Sequence, residues 1–126
     1  MGAPLRVLII DDNEAIRMIL ADRLAELGHQ VVAEADSAEA AQKAYAAHKP
    51  DLVTLDLSLS VVGGGDGLSV LKALQQTDAN VKVIVISGNA QNKVKTAVEA
   101  AGAVAFLSKP IDMEEFAVAV AKAVKP

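Results

Sequence analysis

Cysteine is absent from the 126 residues. Its absence excludes disulfides and thiolate metal sites and is compatible with a reducing compartment. Long apolar runs are missing too, so no transmembrane helix is expected. The opening "MGAPLR" lacks the apolar segment of a secretory leader. Gly2 follows the initiator, but a myristoylation signal wants Ser or Thr at the sixth position, where Arg6 stands. There is no excess of positive charge: the formal net charge is −4, with both signs interspersed. That argues against a nucleic-acid-binding surface. The expectation is a cytoplasmic protein with no membrane and no nucleic-acid partner. Repeats, linkers and low-complexity tails are also lacking.

What the chain does have is apolar residues, 52% of the total, too many for disorder. Its length suits one domain able to bury a core without staples. Runs of strand length occur at "LRVLII" (5–10), "QVVAEA" (30–35), "DLVTLD" (51–56), "VKVIVIS" (81–87) and "AVAFLS" (103–108). Helical spacing fills the gaps. Ile16, Ile19, Leu20, Leu24 and Leu27 form one stripe, Leu68, Leu71 and Leu74 a second, and Phe116, Val120 and Val124 a third. Asp36 with Glu39, and Asp112 with Glu115, read as helix N-termini. Gly28 and Gly102 read as helix C-termini. Tyr45 reads as packing of the second helix, Asp51 and Asp66 as loop or cap residues, and His29 and His48 as surface residues. Strand and helix alternate throughout, and the strands are apolar without strict alternation. This implies an α/β protein, a doubly wound parallel sheet with helices on both faces. The glycine-rich stretch 60–67, "SVVGGGDG", reads as a loop.

In such a sheet, ligands bind beyond the carboxyl ends of the strands. Strand 1 ends in Asp11 and Asp12, strand 3 in Asp56 and strand 4 in Ser87; Lys109 and Pro110 follow strand 5. Two carboxylates about 4 Å apart repel by roughly 4 kcal/mol at an effective dielectric near 20. That is a large share of the about 5–15 kcal/mol by which a domain is stable. A hard divalent cation relieves the repulsion, and an all-oxygen site with few carboxylates suits Mg²⁺, which often shares its shell with a phosphate. Lys109 offers a point charge to a phosphoryl oxygen and Ser87 a short donor. An aspartate beside them is placed to attack phosphorus. Read singly, each residue has a plainer role: Asp11 and Asp12 as caps with Asn13, Ser87 or Asn89 as a turn residue, Lys109 as a solvated lysine.

Together, "IIDDN", "TLDLS", "VISGN" and "FLSKP", in that order, resemble the receiver domain of bacterial two-component response regulators. The resemblance is strongest to the small stand-alone receivers similar to the chemotaxis regulator. It covers residues 5–124, so residues 1–126 are expected to form a single receiver domain. It implies a flavodoxin-like five-stranded sheet in the order 2-1-3-4-5. It implies Asp56 as phosphoacceptor, with Asp11, Asp12, Asp56 and the backbone carbonyl of Ser58 around Mg²⁺. Ser87 and Lys109 would bind the phosphoryl group, and Ser87 and Phe106 would switch, Phe106 standing where the family often has Tyr. A cis Lys109–Pro110 bond is implied as well.

The departures are local. Ser60 stands where the family usually has Pro, and Asp66–Gly67 comes a few residues late, so the loop after strand 3 looks longer than usual. Phe106 has no hydroxyl, so switching through it must work by burial of the ring. The implied function is Mg²⁺-dependent phosphoryl acceptance from a histidine kinase or histidine phosphotransfer protein, followed by self-dephosphorylation. The output would be an altered face of the fourth helix, fifth strand and fifth helix toward a downstream protein. That makes the chain a signalling phosphoacceptor and not an enzyme. With nothing after residue 126, it would act through protein contacts, unless it is a receiver fragment of a larger effector. The enzyme alternative is a Mg²⁺-dependent phosphohydrolase with Asp56 as nucleophile. The haloacid-dehalogenase-like phosphatases want a second aspartate two residues on, where Ser58 stands. A silent structural module would normally lose an acidic residue or Lys109.

Overall fold

The computed structural model describes residues 4–57, 67–78, 80–88 and 92–124. Strands β1 (Arg6–Ile10), β2 (Gln30–Ala35), β3 (Leu52–Asp56), β4 (Lys82–Ser87) and β5 (Ala105–Ser108) alternate with five helices. These are α1 (Glu14–Glu26), α2 (Ala38–His48), α3 (Gly67–Thr77), α4 (Asn92–Ala100) and α5 (Met113–Val124). All strand pairs are parallel, in the order β2-β1-β3-β4-β5. This is the expected doubly wound sheet, and each apolar run of the sequence lies on its strand. Among the described residues no helix is long and apolar enough to cross a membrane.

β1, β3 and β4 are buried on both faces, which is why their sequences do not alternate. Val7, Ile9, Leu52, Ile84 and Ile86 pack with Leu20 and Leu24 of α1 and Phe116 and Val120 of α5. Leu8, Ile10, Val53, Leu55, Val83 and Val85 meet Tyr45 of α2, Leu71 and Leu74 of α3 and Val98 of α4. Truncating one of these fully buried leucines to alanine costs about 2–5 kcal/mol. Both cores pack against the central strands, whose carboxyl ends carry Asp11, Asp56 and Ser87.

The helix ends show where local signals worked. Asn13 caps α1 by accepting from the amide of Ile16 at 3.1 Å. Asp112 accepts from the amides of Glu114 and Glu115, as expected. Gly28 and Gly102 have φ of 88° and 96°, a conformation costly for residues with a Cβ. At α2 the expectation fails: the cap is Ser37, which accepts from Ala40, and not Asp36. That helix ends on Lys49 at φ 45°, immediately before Pro50, which cannot continue it. Ile19 also departs from its stripe: it is 49% exposed, beside an exposed Met18. The wide stripe read along α1 narrows because only Leu20 and Leu24 face the sheet fully. His29 is not a free surface residue: it is half-buried, and its Nδ1 accepts from the amide of Leu5 at 2.9 Å.

Candidate functional site

Parallel register decides what stands beside what at the carboxyl end of the sheet. Ile10 pairs with Leu55, so Asp11 and Asp56 leave adjacent strands side by side. Asp56 pairs with Ile86, which puts Ser87 one step further out. Ser87 pairs with Ser108, and Lys109 comes next. The strand order reverses between β1 and β3, so these residues line the switch-point crevice where ligands of such folds bind.

Asp11, Asp56 and Ser87 are almost fully buried, while Asp12 is exposed and Lys109 half-buried. Lys109 Nζ donates to Asp56 Oδ2 at 3.1 Å and lies 3.7 Å from Asp11 Oδ2. Its backbone amide donates to the carbonyl of Ser87 at 2.9 Å, tying the lysine loop to β4. Asp11 Oδ1 accepts from the amide of Asn13 at 2.8 Å. Asp11 Oδ2 is buried without a hydrogen-bond partner. The Lys109–Pro110 peptide bond is cis, as the resemblance implies.

The charges are in conflict. Burial pushes the Asp11 carboxyl above its ordinary value of 3.8; the charges of Asp56 and Asp12 add to the rise, while the Asn13 amide and Lys109 oppose it. Burial alone would lower Lys109, but the hydrogen bond to Asp56 and the three carboxylate charges outweigh it. The lysine is therefore held above its ordinary 10.5 and is a fixed ammonium at neutral pH. Three carboxylates against one ammonium leave two negative charges, the amount one divalent cation cancels.

The donor set fits such a cation. One oxygen from each of Asp11, Asp12 and Asp56 can lie within 4.8 Å of the others. All are hard donors, and the buried Asp11 Oδ2, ion-paired with Lys109 but without a hydrogen bond, has room for a ligand bond. Asn13, and not the acidic pair, caps α1, so Asp12 is not consumed as a cap.

Four of the sequence-predicted residues, Asp11, Asp12, Asp56 and Lys109, thus meet in one crevice, with Ser87 at its edge. Ser58, Asp66, Asn89 and the glycine-rich loop up to Asp66 lie outside the described residues. Phe106 pairs with Val85 of β4. It is half-buried and lines a groove of about 500 Å³ between α4, β5 and α5, with Lys95, Glu99, Val118 and Lys122. Arg17 was not singled out from the sequence. Its Nη1 donates to the carbonyl of Asp11 at 2.7 Å and its Nε to Glu34 Oε1 at 3.1 Å. Its distance along α1 from Asp11 was a possible signal; its partner on β2 was not visible without the sheet.

Comparison with known proteins agrees with this architecture. The response regulator receiver domain family matches residues 7–121. Chemotaxis protein CheY of Bacillus subtilis (strain 168) is 36% identical over 117 residues, 93% of this chain and 95% of that protein. A protein-glutamate methylesterase/protein-glutamine glutaminase 2 of Cereibacter sphaeroides is 43% identical over 108 residues, 83% of this chain but 28% of that protein. A chain in the crystal structure of the CheX-CheY-BeF3-Mg+2 complex from Borrelia burgdorferi superposes with a TM-score of 0.89 at 27% identity. The match covers 98% of this chain and 91% of that one.

Proposed function

We propose a function from one premise: the chain belongs to the response regulator receiver domain family. It accepts a phosphoryl group on Asp56 from a phosphohistidine of a histidine kinase or histidine phosphotransfer protein. The P–N bond to the imidazole breaks and a P–O bond to Asp56 forms; water later cleaves the acyl phosphate. The observation that carries this reading is Lys109 Nζ, 3.1 Å from the buried Asp56 and 3.7 Å from the buried Asp11 Oδ2.

Each residue has a role consistent with its place. Asp11, Asp12 and Asp56 would hold Mg²⁺; the further ligand that the resemblance implies, the Ser58 carbonyl, lies outside the described residues. Mg²⁺, when bound, offsets the charge that develops on the transferred group. Lys109 already pairs with Asp56 and keeps that carboxylate aimed at the crevice; it then pairs with a phosphoryl oxygen. Ser87, at the end of β4, donates its hydroxyl to the same group. Phe106 repacks in the groove between α4, β5 and α5, where a downstream protein reads the change. Moving the population from 1:99 to 99:1 takes about 5.5 kcal/mol of differential binding. One dianion held by a metal, a lysine and a serine is a source of that order.

Residues 1–126 act as one receiver domain in the cytoplasm. The covalent chemistry in this reading falls on the chain's own aspartate, which makes it a signalling phosphoacceptor rather than a turnover enzyme. The test is intact mass after exposure to acetyl phosphate, with Mg²⁺ and with EDTA. One added phosphoryl group, dependent on Mg²⁺ and labile on standing, is expected. No added mass from acetyl phosphate and none from a histidine phosphodonor defeats the reading.

A further inference from the structure

We propose that Arg17 is a positioning residue for the cation site, fixing the peptide between Asp11 and Asp12 to the edge strand β2 through Glu34. The inference rests on the Mg²⁺ reading above and adds a residue that neither touches the metal nor the phosphoryl group.

The argument starts from Asp12. It is the exposed member of the acidic cluster, so packing does not place it. Its position follows from the backbone that carries it. The Asp11 amide donates to the carbonyl of Ala35 at 3.0 Å, and the Asp11 carbonyl accepts from Arg17 Nη1 at 2.7 Å. That carbonyl and the Asp12 amide share one peptide plane, so Arg17 sets the tilt at which Asp12 leaves the strand. Arg17 is anchored in turn: its Nε reaches Glu34 Oε1 at 3.1 Å, and its side chain is 16% exposed. Glu34 pairs with Ile9 in the β1–β2 register, and Ile9 packs under α1, so sheet pairing places Glu34 on the α1 face. The planar guanidinium serves both acceptors at once; a lysine ammonium is a point charge without that fork.

Charge and position predict opposite signs. Removing a cation near a metal site should tighten Mg²⁺ binding if Arg17 acts only through its field. If Arg17 positions Asp12, removing it weakens binding. A suitable control is on the same helix: Arg23 pairs with Glu26 at 3.7 Å, an i,i+3 contact away from the site.

The experiment is calorimetric titration of Mg²⁺ into the metal-stripped full chain at fixed ionic strength, with melting in EDTA followed alongside. Arg17→Ala is expected to weaken Mg²⁺ binding about tenfold, the size typical of partners that orient metal ligands. Arg17→Lys should fall between, and Arg23→Ala should match the wild type. Glu34→Ala should weaken binding less than Arg17→Ala and add nothing to it in the double variant. Arg17→Ala binding Mg²⁺ as tightly as the wild type, or more tightly, overturns the proposal. If that variant does not fold, Arg17→Lys carries the test, and wild-type affinity in it is equally fatal. A wild-type chain that takes up no Mg²⁺ overturns this proposal together with the metal reading beneath it.

Discussion

The two ends of the sheet treat charge in opposite ways. At the amino end, Asp51 Oδ2 accepts from the amide of Arg6 at 2.9 Å and Arg6 Nη1 donates to the carbonyl of Lys49. There too His29 Nδ1 accepts from Leu5. Each of these three side chains has a backbone partner. At the carboxyl end three carboxylates converge and a buried Asp11 oxygen has no hydrogen bond. The same strands carry both ends, so the difference is not one of scaffold quality. One end closes the fold; the other holds an excess of negative charge of the size one divalent cation would cancel.

Asp56→Asn breaks the comparison at its strongest point. It should abolish phosphorylation, read by intact mass, and leave the fold in place, because Lys109 keeps Asp11 as a neighbour and one repelling charge is gone. A labelled Asp56→Asn protein would point to another acceptor.

Asp11→Asn should remove most of the Mg²⁺ response of the melting temperature. In the wild type, Mg²⁺ at 100 times its Kd adds about 2.7 kcal/mol. Without metal, the same variant should be the more stable one at neutral pH. The sign follows from the raised Asp11 carboxyl: the folded state holds its proton more tightly than the unfolded state does. Stability from this group therefore falls as pH rises above 3.8 and levels off once both states are ionised. Denaturant melts in EDTA across pH 4–8 should show a shallower fall for Asp11→Asn; identical slopes would remove Asp11 from the conflict.

How much was readable beforehand follows from the range of each signal. Strands, most caps and the identities of Asp11, Asp12, Asp56, Ser87 and Lys109 come from local pattern, which a sequence carries directly. Ser37 displaced Asp36 as the α2 cap because both are good acceptors one residue apart, and the strand ends at Ala35. Ile19 fits the helical period yet stands outside the packed stripe, because a stripe says nothing about how much sheet lies beneath it. Arg17 and Glu34 meet only because β2 pairs with β1.

The amino end supplies the smaller effects. Asp51→Ala loses a hydrogen bond to the Arg6 amide at an exposed position, so it should cost no more than about 1 kcal/mol. Its Mg²⁺ affinity should be unchanged; a change would mean the two ends are coupled through β1 or β3. Tyr45, the single tyrosine of a chain without tryptophan, sharpens the contrast further. Its hydroxyl donates to Asp78 Oδ2 at 3.1 Å, and burial, with help from Asp78, pushes its phenol up to about 12. Phenolate absorbance should rise near that pH, where an exposed tyrosine would titrate near 10. Tyr45→Phe should cost about 0.5–1.5 kcal/mol and leave Mg²⁺ binding as it was.

By itself the sequence determined the alternation of strands and helices, the double burial of the central strands and the residue types at their ends. Those depend on short-range periodicity and on the chemistry of each side chain. The tertiary structure decided which ends became neighbours. Parallel register placed Asp11 beside Asp56 and Lys109 across from both, and edge pairing brought Glu34 to Arg17. Strand register is a non-local property: a one-residue slip of β2 against β1 would have turned Glu34 to the other face, away from Arg17.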